Sequence, residues 1–316
     1  RVLIAGGFRK GEEGRGQVFL NSAEMYDPTA KKFSTTADMT FNRAGHTATL
    51  LTNGLVLVAG GFGAMGVLSS AELFNPADGS FTPIGNMNAR RGGCTATLLL
   101  DGRVLFCGGG DREATASAEL FDPARKSFVM TGAMTTPRMA HTATRLPGGM
   151  VLVIGGGSRR NSVLGSAEIY NPATGRFTST SSMAGPRYKH AAIDMNDGSV
   201  LVFGGCDERD WEGKLATIER YMLASGRFLR VADLRYARFK LPDAVVGFAD
   251  GTFLIAGGDR AVERFSSVSD ESSVVGMLDK SYYYATATAL TDGTVLIAGG
   301  YDDTLQATNK AWLWRP

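Results

Sequence analysis

The chain has few of the residues from which metal sites and disulfide frameworks are made. Its 316 residues include three histidines and three cysteines. Three cysteines give no disulfide framework. Cys94 and Cys107 fall on neighbouring strands, but diagonally, so no bridge is expected. Charge of one sign is lacking too. Formal net charge is +2, which argues against bulk affinity for nucleic acid or a membrane surface. No apolar run approaches the about 18 residues of a membrane span. Helical periodicity is missing, and no His/Cys/Asp spacing resembles a zinc site. Arg1 opens directly into an apolar strand, with no signal peptide. A targeting segment upstream of this sequence, and the compartment, are left open. What remains is the composition of a folded soluble protein, 44% hydrophobic and 20% charged.

Glycine, by contrast, is abundant, with 41 copies, and it is ordered. A glycine pair behind a short apolar run appears at Gly6-Gly7, Gly60-Gly61, Gly108-Gly109, Gly155-Gly156, Gly204-Gly205, Gly257-Gly258 and Gly299-Gly300. The spacing runs from 42 to 54 residues, which marks a repeat architecture. The unit from Arg43 to Met87 is the clearest. His46–Leu51 is a β-branched run closed by Asn53-Gly54, and Leu55–Ala59 follows up to the glycine pair. Asn-Gly between two such runs predicts a hairpin with a type I′ turn. Asp101-Gly102, Gly148-Gly149, Asp197-Gly198, Asp250-Gly251 and Asp292-Gly293 repeat it. A variable loop then leads to Ser70–Phe74, an Asn75-Pro76 turn and a strand starting at Phe81. Equivalent Asx-Pro turns sit at Asp27, Asp122 and Asn171, where side-chain capping and proline's fixed φ favour reversal.

Four antiparallel strands per unit of about 50 residues is the pattern of a propeller blade. The glycine pairs, the Arg-x-x-His at Arg43/His46, Arg138/His141 and Arg187/His190, and the aromatics closing strand 3 (Tyr26, Phe74, Phe121, Tyr170, Tyr221) and on strand 4 resemble a kelch-repeat β-propeller. The wording Ser-Ala-Glu-x-Tyr/Phe-Asn/Asp-Pro is similar to bacterial kelch-like and galactose-oxidase-like propellers. Strand 2 occurs seven times and strands 1 and 4 about six times. The expected fold is therefore all-β: one domain over residues 1–316, of seven four-stranded blades. Its terminal blades are incomplete and close on each other; six blades are the alternative. Kelch domains serve as adaptors, oxidases and sugar mutarotases, so the resemblance implies a fold and not a function.

Repetition separates architecture from function. Glu24, Glu72, Glu119, Glu168, Glu219 and Glu263 share one strand-3 position and read as structural partners. The three histidines share one position too, held elsewhere by Cys94, Leu241 and Tyr284. They therefore read as structural and not as a metal triad. A copper oxidase needs histidine ligands beyond these, so no cofactor and no metal are expected. Glycine pairs without a following helix are not phosphate loops.

The turns after strands 1 and 3 are short, whereas the 2-to-3 and 4-to-1 loops at the other end are long and dissimilar. Binding residues belong there. The 4-to-1 loops carry an arginine four residues after an apolar anchor: Arg43, Arg91, Arg138, Arg187 and Arg238. The sixth departs, with Met277/Ser281 before Tyr282-Tyr283-Tyr284. Two roles are open for the arginines: a grip on carboxylates at the mouth, or a strut paired with the strand-3 glutamate. Arg90, Tyr188, Lys189, Tyr236, Lys240, Tyr282, Tyr283 and Trp211 do not repeat and are the stronger ligand candidates. In the loop 206–213, Asp207, Glu208 and Asp210 could hold a cation, but a solvated charged loop fits better.

These residues favour a non-catalytic module that recognises an acidic peptide, protein or carbohydrate. A carbohydrate-active enzyme of the mutarotase or lyase kind, or a structural subunit of a larger assembly, are the alternatives.

Overall fold

The structure, a computed structural model, describes residues 1–11, 16–158 and 162–315. Among these residues there is no helix, and therefore none that could cross a membrane. The strands build seven blade sheets, each antiparallel, in the order the repeats predict. The first has three strands, Val2–Ala5, Ala23–Asp27 and Lys32–Thr35. Five four-stranded sheets follow. The second runs Thr47–Leu50, Val56–Ala59, Ser70–Asn75 and Ser80–Asn86. The fifth runs Ala191–Asp194, Ser199–Phe203, Thr217–Met222 and Arg227–Asp233. The seventh again has three, Thr286–Ala289, Val295–Ala298 and Ala311–Trp314. The terminal blades are thus incomplete, the first lacking strand 1 and the last lacking strand 4.

By compactness the chain divides into two units. One comprises Arg1–Arg145, Gly149–Val151 and Ile169–Thr178; the other comprises Leu146–Gly148, Leu152–Glu168 and Ser179–Pro316.

Second strands are the buried ones, because they lie between two partners in their sheets and carry apolar residues on both faces. Leu57, Val104, Leu152, Leu201 and Leu254 are all fully buried. The strand-4 aromatic packs directly on the strand-3 aromatic of its own sheet. Ring centroids are 4.8 or 4.9 Å apart in Tyr26–Phe33, Phe74–Phe81, Phe121–Phe128, Tyr170–Phe177 and Tyr221–Phe228, as cross-strand neighbours should be. Asx-Pro turns close as expected: Asp27 accepts from the Thr29 and Ala30 amides, Asn75 from Ala77 and Asp122 from Ala124.

The Asn53-Gly54 hairpin turn is not type I′. Leu51 N–H donates to Leu55 at 2.8 Å and Gly54 N–H to Leu51 at 3.0 Å, enclosing three residues of which only Gly54 has positive φ. This is the three-residue loop with glycine in the left-handed position. The Asx side chain caps it: Asn53 and Asp101 accept from the amide two residues on. All three cysteines are free. Thr95, not Cys94, stands opposite Cys107.

The glycine pair couples each sheet to the next. The second glycine's N–H donates to the carbonyl of the 4-to-1 arginine of the following repeat: Gly61 to Arg91, Gly109 to Arg138, Gly156 to Arg187, Gly205 to Arg238, each at 2.9 Å. The first glycine lies against that same carbonyl. A Cβ added at Gly108 would stand 2.3 Å from the Arg138 oxygen and 2.6 Å from the His141 ring. Gly54, with comparable positive φ, has nothing within 4 Å of such an atom. We therefore expect Gly54→Ala to cost about 1 kcal/mol from backbone strain alone. Gly108→Ala should cost about 3 kcal/mol or more. Denaturation midpoints of the two variants measure the difference, and equal losses would refute the packing role.

Candidate functional site

Of the residues expected at the mouth, the five repeated arginines are not at a surface. Arg43, Arg91, Arg138 and Arg238 are 0% exposed and Arg187 is 1% exposed. This corrects the ligand role considered for them: a guanidinium surrounded by its own sheet has no face left for a partner. Arg43 donates to the Gly60 and Ser70 carbonyls, to Ser70 Oγ and, at 3.0 Å, to Glu72. Arg91 spans Gly108, Ser117 and Glu119, and Arg187 spans Gly204, Thr217 and Glu219. Arg238 does the same with Gly257, Ala261 and Glu263. Each glutamate also accepts from amides of the 4-to-1 loop, as Glu72 does from Thr40 and Phe41 and Glu219 from Ala184 and Gly185. Burial pulls the Arg43, Arg187 and Arg238 pKa values below the usual guanidinium range, while the paired carboxylates pull them back.

The histidines are structural as well. Each ring fills the space that a side chain on the preceding repeat's first glycine would need, His46 over Gly6, His141 over Gly108 and His190 over Gly155. Burial, aided by the neighbouring arginine, pushes the His46 and His190 pKa down to about 3.

The last repeat corrects the sequence alignment by one residue. Gly258 N–H donates to Tyr282, where other glycines find an arginine, and Gly300 packs on Ala285 as Gly61 packs on His46. The apolar anchor is Leu278, which is buried, and not Met277, which is 52% exposed. Tyr282, not Ser281, therefore stands at the arginine position, and Ala285, not Tyr284, at the histidine position. Trp312 stands opposite Ile297, the place of the glutamate. The ion pair has become an aromatic one, with Tyr282 and Trp312 centroids 5.0 Å apart. Tyr282 is thereby buried in the core and not in a binding surface.

Immediately after the arginine position come two residues that do vary. The second has positive φ in every repeat: Gly45, Gly93, Ala140, Lys189, Lys240 and Tyr284, all between 50° and 64°. Its backbone joins successive repeats, with Ala140 N–H donating to Gly93, Lys240 to Lys189 and Tyr284 to Lys240. The first residue reads Ala44, Gly92, Met139, Tyr188, Phe239, Tyr283. In the second unit the same backbone positions thus present large side chains, four of them aromatic and two cationic.

There Tyr188, Lys189, Trp211 and Tyr283 come together, joined by Lys240 and by Lys214, Phe239 and Tyr301. Trp211 meets Phe239 and Tyr283 edge to face at 5.0 and 4.7 Å. Lys240 Nζ lies 3.8 Å from the Trp211 centroid, 4.6 Å from Phe239, 5.1 Å from Tyr301 and 5.2 Å from Tyr283. Lys214 Nζ is 5.3 to 5.6 Å from the Trp211, Phe239 and Tyr283 rings. Lys189 is paired with Asp210 at 2.8 Å. Burial pushes the Asp210 carboxyl up, but Lys189 outweighs it and holds the group below its ordinary value. The loop 206–213 is closed on itself: Asp207 pairs with Arg209 and its N–H donates to Gly213. Its Asp207 and Asp210 carboxylates serve the protein's own cations.

Two expected residues lie apart from this cluster. Tyr236 is 45% exposed and its amide donates to Glu263. Arg90, in the first unit, donates to the Val67 carbonyl. Lys214, Phe239 and Tyr301 were missed. The signal for Phe239 was the change from Ala and Gly to aromatics at one repeat position.

A family model for the kelch motif matches residues 138–184. The chain is a kelch-repeat β-propeller. No curated protein matches it. Among solved structures it is similar to a fungal alcohol oxidase of the AA5 family in complex with copper, at 16% identity and TM-score 0.80, over 99% of this chain and 71% of that one. It is also similar to YjhT, at 12% identity and TM-score 0.68, over 87% and 95%. At these identities the likeness concerns the fold. The residues here do not fit the oxidase's copper. All three histidines are packed on glycines, and among the described residues no three of His, Cys, Asp and Glu are grouped to hold a metal.

Arg187→Met should destabilise by about 3–5 kcal/mol, since it strands the buried Glu219 carboxylate, and adding Glu219→Leu should recover much of the loss. Thermal and denaturant unfolding measure both. Because His190 titrates far lower folded than unfolded, the unfolded chain binds more protons below pH about 6.5. Its stabilising contribution is complete above that pH and is lost as pH falls toward about 3. His190→Leu, the residue type found in this position at Leu241, should flatten that acid limb.

Proposed function

We propose that this propeller is a binding module that recognises an acidic peptide segment of a partner protein through the Lys189, Lys214 and Lys240 cluster. One observation carries the reading. The Lys240 side chain is 5% exposed, yet its ammonium has no hydrogen-bond or ion-pair partner among the described residues and rests on aromatic rings alone. Ring faces offset part of the cost of dehydrating an ammonium, by about 2 kcal/mol, but leave its donors unsatisfied. A carboxylate supplied from outside would satisfy them.

The local charge points the same way. Three lysines stand against Asp210, and that carboxylate is committed to Lys189. Trp211 and Tyr284, which are 39% and 41% exposed, supply the amphipathic surface that interface centres favour. The groups come from the 4-to-1 and 2-to-3 loops, held by rigid sheets, where ligand residues are best placed. Tyr236 belongs to the same kind of loop and would extend the contact on a long partner.

A Glu/Asp-rich peptide should bind in a fluorescence titration and weaken with rising ionic strength. Lys240→Met and Lys214→Met should each reduce affinity about tenfold or more, with folding checked by circular dichroism. A neutral peptide or neutral oligosaccharide that binds as well as the acidic one would overturn the reading and favour a carbohydrate ligand.

A further inference from the structure

We propose that Lys240 is a carbonyl-reactive amine that captures a small oxo acid, an aldehyde or ketone bearing a carboxylate, as a reversible imine. The inference rests on the anion-binding reading of the same cluster and adds a small-molecule carboxylate to what it can hold. It starts from what surrounds the nitrogen. Four ring faces lie within 5.2 Å of it, and among the described residues no hydrogen-bond or ion-pair partner engages its donors. The nearest carboxylate, Asp210, is held by Lys189 and does not form an ion pair with Lys240. An ammonium that is packed on ring faces, pairs with no carboxylate among the described residues and has other cations nearby is the arrangement that frees a lysine to act as a nucleophile.

The titration of the group agrees with that geometry. Burial first, then the Lys189 charge, lower the Lys240 pKa to about 8. Asp210 and Cys206 act in the opposite direction, and Lys214 adds to the lowering. Burial pushes Cys206 and Tyr301 up to about 12, so both are neutral near pH 7. Tyr188 and Tyr284 are pushed up too, and the Tyr283 hydroxyl accepts from Lys214 at 3.3 Å. About one Lys240 in ten is then a free amine at pH 7, against a few in ten thousand for an ordinary lysine.

The step balances without an oxidant or reductant. The Nζ lone pair attacks the carbonyl carbon, and the C=O π pair moves to oxygen. A proton passes from nitrogen to oxygen, giving a carbinolamine. The nitrogen lone pair then forms C=N as hydroxide leaves, taking a proton to become water. Amine plus carbonyl gives imine plus water. The aromatic box limits water at the new bond, and Lys214 and Lys189 attract the ligand's carboxylate.

The test treats the full chain with glyoxylate and cyanoborohydride, which reduces the imine to a stable secondary amine, and maps the label by peptide mass spectrometry. At pH 7 Lys240 should be labelled at least about tenfold faster than exposed lysines such as Lys31 or Lys126. The pH midpoint of its labelling should lie near 8. Lys240→Arg should remove that label and leave the others. Lys189→Met frees Asp210 to pair with Lys240 and should move the midpoint upward. If the Arg variant does not fold, the labelling pattern of the unaltered chain decides. Label spread evenly over the lysines, or a Lys240 midpoint near 10, overturns the proposal, whatever the acidic peptide does. Propanal labelling Lys240 as fast as glyoxylate keeps the amine but removes the role of the anion, and with it the support for the binding reading.

Discussion

The buried arginine of the 4-to-1 loop is the constraint on which the rest depends. One guanidinium joins three pieces of its own sheet: the carbonyl of the first glycine, the carbonyl where strand 3 begins, and the strand-3 glutamate. The glutamate returns to the amides of the loop that carries the arginine. The arginine's own carbonyl then receives the second glycine of the preceding repeat. Charge, backbone and neighbouring repeat are thus satisfied at one residue. A buried ion pair alone need not stabilise a fold. Here the same guanidinium also reaches the Gly60 and Ser70 carbonyls and the Ser70 hydroxyl, so the pair fixes where the chain leaves one sheet and enters the next.

The last repeat shows what the strut can be exchanged for. Tyr282 and Trp312 replace arginine and glutamate together, and Tyr282 still offers its carbonyl to Gly258. The side-chain chemistry has changed while the backbone link between repeats is kept. The backbone link is therefore the more general requirement, and the ion pair is one way to hold it. The same logic separates the two residues that follow. Their backbone is fixed by the inter-repeat hydrogen bond and by positive φ, so their side chains carry no architectural duty. Glycine is the low-strain choice at positive φ. Lys189, Lys240 and Tyr284 occupy it at a cost in strain, and their side chains meet in the aromatic and lysine cluster.

Much of the fold was legible before any coordinates. The glycine-pair spacing, the Asx-Pro turns and the strand order needed only local chemistry and repetition. The turn type was not legible, because loop length depends on which residues pair, and Leu51 pairs with Leu55 and not one residue closer. The last repeat was misaligned because Ser272 stands where other repeats have the strand-4 aromatic. Without that marker the anchor fell on Met277 instead of Leu278.

The candidate site was legible in part. Subtracting what repeats left Tyr188, Lys189, Trp211, Lys240 and Tyr283 as residues to follow, and these do meet. The arginines could not be placed, since a guanidinium at a loop end can turn outward to a ligand or inward to a carboxylate some 30 residues ahead, and sequence records no direction. Nor could Lys214 or Tyr301 be picked out, because neither is unusual until Phe239 and Trp211 stand beside it. The repeat, its strands and the places of its turns were already set in the sequence, since those follow from hydrogen-bonding and dihedral preferences within a few residues. Only the tertiary structure decided which cations are consumed and which are left over. That depends on whether a counter-charge arrives from a distant strand: Glu72, Glu119, Glu219 and Glu263 reach their arginines, and no carboxylate reaches Lys240.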